Sequence, residues 1–104
     1  MRYEVRLTER AARDLNEAAD WISERAPETA ERWFNGFVDA LQTLQDRPHR
    51  CGLARENDAF PFELRQFLYG RRKNYRALFT VRQDAVIVLA IRHAAQQDLS
   101  SEDL

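Results

Sequence analysis

Cysteine occurs once in the 104 residues, at Cys51. No disulfide can therefore form within the chain, which fits a reducing compartment. Glycine and proline are scarce, three of each, and Gly36, Gly52 and Gly70 lie too far apart to form a phosphate-cradling loop. Lysine is nearly missing: Lys73 stands against fifteen arginines. Arginine offers a planar fork of donors suited to carboxylate or phosphate, whereas lysine acts as a point charge. The longest apolar run, 85–91, is far too short to span a bilayer. The opening Met1-Arg2-Tyr3-Glu4-Val5-Arg6 has no apolar core of the kind a signal peptide needs. These shortages point to a cytoplasmic protein with no membrane partner. At this length the chain supports one domain and one core.

Charge is plentiful but unevenly spread. The chain nets −1, yet residues 1–46 net −4, residues 64–93 net +6 and residues 94–104 net −3. The basic stretch holds Arg65, Arg71, Arg72, Lys73, Arg76, Arg82 and Arg92, with Asp84 as its one acid. A basic surface on a nearly neutral protein implies an acidic or phosphorylated partner more than general polyanion binding.

Periodicity gives the elements. Tyr3, Val5 and Leu7 alternate with Glu4 and Arg6, the pattern of a half-buried strand. Thr8 is a suitable N-cap with Glu9 in the first turn. Ala11, Leu15, Ala18 and Ile22, widened by Ala19 and Trp21, mark a helix to about Arg25. Proline at Pro27 ends that helix and opens another, whose stripe is Ala30, Trp33, Phe34, Phe37, Leu41 and Leu44. Pro48 closes it. Residues 64–69, 75–81 and 85–91 read as three strands joined by turns at 70–74 and 82–84. The last strand is apolar on both faces, which makes it central, and only the first strand is left to flank it.

The predicted fold is α+β, in the order β-α-α-β-β-β. Its four-stranded, mainly antiparallel sheet has the order 1-4-3-2, with an αα-hairpin on one face. Along the chain this gives a strand (1–7), a helix hairpin (8–46), a loop (47–63), a three-strand meander (64–93) and a frayed acidic tail (94–104). The loop is expected to be the most mobile part. Leu15, Ile22, Phe34, Phe37, Leu41, Val88 and Leu89 should be largely buried. Trp21 and Trp33 should belong to the core.

This order of elements resembles the RelE/ParE toxins of bacterial type II toxin–antitoxin modules. Leu64-Arg65, Tyr75-Arg76-Ala77-Leu78-Phe79, Val88-Leu89-Ala90-Ile91-Arg92-His93 and Ala30-Glu31-Arg32-Trp33-Phe34 carry the resemblance, which runs from Met1 to about His93. It implies growth inhibition and a cognate antitoxin that wraps and neutralises the toxin. Two activities divide the family. RelE-like members cut mRNA in the ribosomal A site, and ParE-like members poison DNA gyrase.

Cleavage by 2′-hydroxyl attack needs a base, an acid and cations for the phosphorane charge. Arg65, Arg76 and His93 are the candidates here, with Arg65 and Arg76 as phosphate clamps and His93 as the titrating group. A second proton-transfer group is missing, and no tyrosine follows His93. The ParE-like reading is therefore preferred. Arg65, Arg71, Arg72, Lys73, Arg76, Arg92 and His93 become partner-binding residues, with gyrase as target and the ribosome as alternative. A non-toxic interaction module of the same fold is the third reading. For single arginines the plain alternative is a solvated sheet position paired with a nearby acid. His49-Arg50-Cys51 lacks the further ligands of a metal site and the base of a thiol nucleophile. No metal or cofactor is expected.

Overall fold

Thr8 turns the first strand into the first helix. Its side-chain hydroxyl accepts the Ala11 N–H at 3.1 Å, satisfying one of the orphan donors at the helix start. In the computed structural model, which describes residues 2–104, β1 (Glu4–Leu7) leads into α1 (Glu9–Arg25). Pro27 takes the first turn of α2 (Pro27–Gln42), which runs on into a 3₁₀ turn at Thr43–Gln45. Arg50 folds back under this end and donates to the Asp46 carbonyl at 2.6 Å and the Thr43 hydroxyl at 3.1 Å. A guanidinium among terminal carbonyls also complements the helix dipole.

The remaining strands are β2 (Arg65–Tyr69), β3 (Tyr75–Arg82) and β4 (Ala85–His93). The sheet order is β1-β4-β3-β2, with β1 parallel to β4 and the other pairs antiparallel. The expected strand order and helix hairpin are both present. β1 covers β4 only as far as Val88. Beyond it α1 takes over the edge: Thr8 donates to the Leu89 carbonyl at 3.3 Å, and Asp14 accepts the Ile91 N–H at 3.1 Å. A bulge falls at the same place, since Leu78 pairs with Ala90 and Phe79 with Val88, leaving Leu89 as the extra residue.

Two apolar layers explain why β4 is apolar on both faces. The helix-side layer joins Leu15, Phe37 and Leu41 to Tyr75, Ala77, Phe79, Val86 and Val88. The other joins Leu64, Leu78 and Ala90 to Ala54 and Leu99. Several expectations change here. Ile22, Phe34 and Leu89 are half-buried and not fully enclosed. Trp21 is 53% exposed, because it flanks the α1 stripe and meets Arg25, whose guanidinium lies 3.7 Å from the ring centroid. Trp33 does reach the core layer, edge-on to Phe37 and Tyr75. Residues 47–63 fold into two 3₁₀ turns, and Leu53 bridges to Arg65 at the β2 edge. Residues 94–104 are not frayed. They cross the second sheet face and bury Leu99 to 1% exposure.

Candidate functional site

Three exposed cations sit side by side on the β2–β3 turn. Gly70 enters it at φ +92°, a conformation open to glycine, and a Cβ there would meet Asn74 Oδ1 at 2.5 Å. Arg72 and Lys73 follow at φ 56° and 55°. The turn therefore stands out from the sheet with Arg71, Arg72 and Lys73 all exposed. None of the three has an acidic partner within 4 Å among the described residues.

His93 lies beside this turn, tied to it by the Ala94 N–H donating to the Asn74 carbonyl at 2.8 Å. Its Nδ1 accepts the Ala95 N–H at 3.0 Å, so the neutral ring carries its proton on Nε2. The ring packs edge-on to Tyr75 at 5.1 Å. Both residues line a cleft of about 410 Å³ with Asp14, Glu17, Trp21 and Gln96. Arg92 faces the other way. It is half-buried and donates to the Gln97 carbonyl, while its Nε finds no protein partner.

Arg76 is the expectation that changes most. It is 3% exposed, and its two terminal nitrogens donate to both oxygens of Glu56 at 2.8 and 2.7 Å. One of them also reaches Gln66 Oε1 at 3.0 Å. A fork-to-fork ion pair of this geometry joins directionality to charge. Burial by itself would push the Glu56 carboxyl up, but hydrogen bonds from Arg76 and the Leu99 N–H, together with the Arg76 charge, bring it down to about 2. The same pairing pushes Arg76 further up. Arg76 is thus an internal tie and is not available to a partner in this state.

Arg65 is committed too. It donates to the Cys51 carbonyl at 2.6 Å and to Glu63 at 3.1 Å. Strand register separates it from Arg76: Arg65 pairs with Phe79, an odd number of residues from Arg76, so the two side chains leave opposite faces of the sheet. His93 shares a face with Arg65 but pairs with Tyr75, four residues, or about 13 Å, further along the strand. The proposed nuclease trio does not converge. Cys51 offers no substitute, since burial pushes its thiol up against the pull of Arg50 and Arg65. His49 packs edge-on to Tyr3. No group of three potential metal-ligating side chains occurs, and no helix is long and apolar enough to cross a membrane, among the described residues.

Sequence reasoning missed Glu56, Asp14 and Leu99 as structural anchors and Trp21 as a surface residue. Ala54, Phe60 and Phe62 around Glu56 were the available sign that the loop packs down.

Comparison with known proteins agrees with this fold. A family model described as ParE toxin of type II toxin–antitoxin system, parDE, matches residues 5–98. The structure is similar to one of a chromosomal ParDE toxin–antitoxin system from P. aeruginosa. The TM-score is 0.71 at 24% identity, covering 88% of this chain and 95% of that one. It is also similar to the toxin–antitoxin complex RelBE2 from Mycobacterium tuberculosis. There the TM-score is 0.58 at 26% identity, with 92% and 95% covered. Among curated proteins none matches the chain.

Proposed function

The chain belongs to the ParE toxin family of type II toxin–antitoxin systems, and from that premise we propose that it arrests growth in the cytoplasm by acting on DNA gyrase until an antitoxin neutralises it. One observation carries the choice of target. Arg71, Arg72 and Lys73 are exposed, have no acidic partner among the described residues and are gathered on one turn, whereas Arg65, Arg76 and His93 are dispersed over two faces of the sheet. Docking on a protein–DNA assembly needs an accessible basic surface. Acid–base catalysis needs groups within hydrogen-bond reach of the moving proton. The gyrase-directed reading therefore involves no hydrolysis by this chain. His93 borders the turn and extends the docking surface, whereas Arg92 is held by the Gln97 carbonyl on the other side.

The antitoxin partner follows from the similarity to structures of toxin–antitoxin complexes. Its contact segment is acidic and amphipathic, to match a basic segment of net +6. Similarity to the RelBE2 complex favours ribosome-dependent mRNA cleavage as the second reading. Induced expression in growing bacteria separates them. Arrest with intact mRNA and altered plasmid supercoiling supports gyrase. Arrest with codon-located mRNA cleavage supports the ribosome. Growth at the normal rate leaves a non-toxic interaction module.

A further inference from the structure

Residues 94–104 are held to the rest of the chain much as a short peptide is held by a receptor. Their buried apolar anchor, Leu99, is 1% exposed in a slot formed by Leu64, Leu78 and Ala90, with Phe60 and Phe62 packed beside it. The Leu99 N–H donates to Glu56 Oε2 at 3.0 Å. Three arginines from three parts of the fold hold the segment on either side of the anchor. Arg55 in the loop pairs with Asp98, Arg92 of β4 donates to the Gln97 carbonyl, and Arg10 of α1 donates to the Asp103 carbonyl. The segment itself carries three acids and no base. It joins no strand of the sheet, and residues 94–97 leading to the anchor are exposed. One leucine, a few hydrogen bonds and one partly exposed ion pair are a small unit, able to open without unfolding the sheet.

We propose that this slot is a binding site for acidic peptides bearing a leucine beside an aspartate. In the free protein it is filled by the chain's own residues 94–104, a strap that a partner peptide of the same chemistry must displace. The floor of the site is already built: the Glu56–Arg76 pair presents a fixed carboxylate to a backbone N–H, the slot takes the leucine, and Arg55 takes the acid. A peptide satisfies all three. A nucleic acid would satisfy the arginines alone, and would bring phosphate towards the Glu56 carboxylate with nothing to fill the slot. Only the source of the partner peptide rests on the antitoxin reading. The exchange between strap and peptide does not, so loss of one leaves the other standing.

The test uses a fluorescent peptide with the sequence of residues 94–104, mixed with the full chain carrying Leu99→Asn. Binding to this variant is expected to be at least about tenfold tighter than to the unsubstituted chain, whose tethered strap competes at high effective concentration. A peptide with its own Leu99→Asn change should bind about tenfold more weakly or worse, as loss of a buried leucine requires. Equal binding to both chains, or binding indifferent to the leucine, overturns the proposal. So does displacement of the peptide by a DNA oligonucleotide, which would mark a general polyanion surface. Hydrogen exchange on the unsubstituted chain gives a check that needs no variant. The Leu99 amide should exchange at least about a hundredfold faster than those of Val88 and Ala90, through local opening. Equal protection would make the segment an inseparable part of the fold and overturn the proposal.

Discussion

Glu56→Gln keeps the shape of the side chain and removes its charge, which leaves the Arg76 guanidinium buried against a neutral amide. Two routes give the size of the loss. The Glu56 carboxyl lies at about 2 where its ordinary value is 4.5, a fall of about 2.5 pH units. At ~1.36 kcal/mol per unit this is about 3 kcal/mol favouring the folded state at neutral pH. Independently, removing one member of a buried ion pair costs about 3–5 kcal/mol, because the remaining charge is left uncompensated. The side chains are 4% and 1% exposed, so solvent screening takes little from either figure.

The sign of the pH dependence follows from the same numbers. A depressed carboxyl adds stability that is fully present above its unfolded value and is lost as the pH falls towards its folded one. The unsubstituted protein should therefore lose about 3 kcal/mol from this group between pH 4.5 and about 2. The Glu56→Gln variant should start lower at pH 7 and show a correspondingly flatter acid limb. Urea unfolding followed by circular dichroism at several pH values measures both. Combining Glu56→Leu with Arg76→Met should recover most of the loss or exceed the original stability, since apolar replacement of both partners removes the unpaired charge. A single-variant loss below about 1 kcal/mol, or an unchanged acid limb, would refute this account of the pair.

Phe37 is fully enclosed and stacks on Tyr69 at 4.3 Å, so Phe37→Ala should cost about 3–5 kcal/mol in chemical denaturation. Gly70→Ala should cost about 1–3 kcal/mol, because its φ is +92° and the new Cβ would fall 2.5 Å from Asn74 Oδ1; an unchanged midpoint would show that the turn can rearrange. The Cys51 thiol, pushed up by burial, should react with iodoacetamide more slowly than free cysteine at pH 8, and faster alkylation would contradict its packing. Reversing Arg71, Arg72 and Lys73 to glutamate should abolish growth arrest while stability changes by less than about 1 kcal/mol, whereas His93→Ala should keep most of the arrest.

The element order was readable because the signals were local: Thr8 before an amphipathic stripe, Pro27 between two stripes, and three short strand-like runs separated by turns. The sheet order was readable from β4, whose side chains find apolar partners on both faces. The second face was harder. Residues 54, 60, 62 and 64 show neither helical nor strand period, and Leu99 stands alone among polar neighbours, so nothing in the local pattern announced a second layer. Arg76 looked like any outward arginine because its partner, Glu56, lies twenty residues away in a loop without regular structure. Trp21 misled for the opposite reason. It adjoins the apolar stripe of α1 in projection, but the hairpin rotates it towards solvent, where Arg25 covers its face. The basic turn was legible from composition, and its freedom from acidic partners required the structure.

The most direct measurement of the proposed activity is a DNA supercoiling assay with purified gyrase and the purified, unsubstituted chain. Inhibition of supercoiling that rises with the amount of chain added and disappears with the triple charge reversal at Arg71, Arg72 and Lys73 is the predicted result. Full gyrase activity at a large excess of the chain, together with codon-located cleavage of mRNA on purified ribosomes that is lost with His93→Ala, would contradict it.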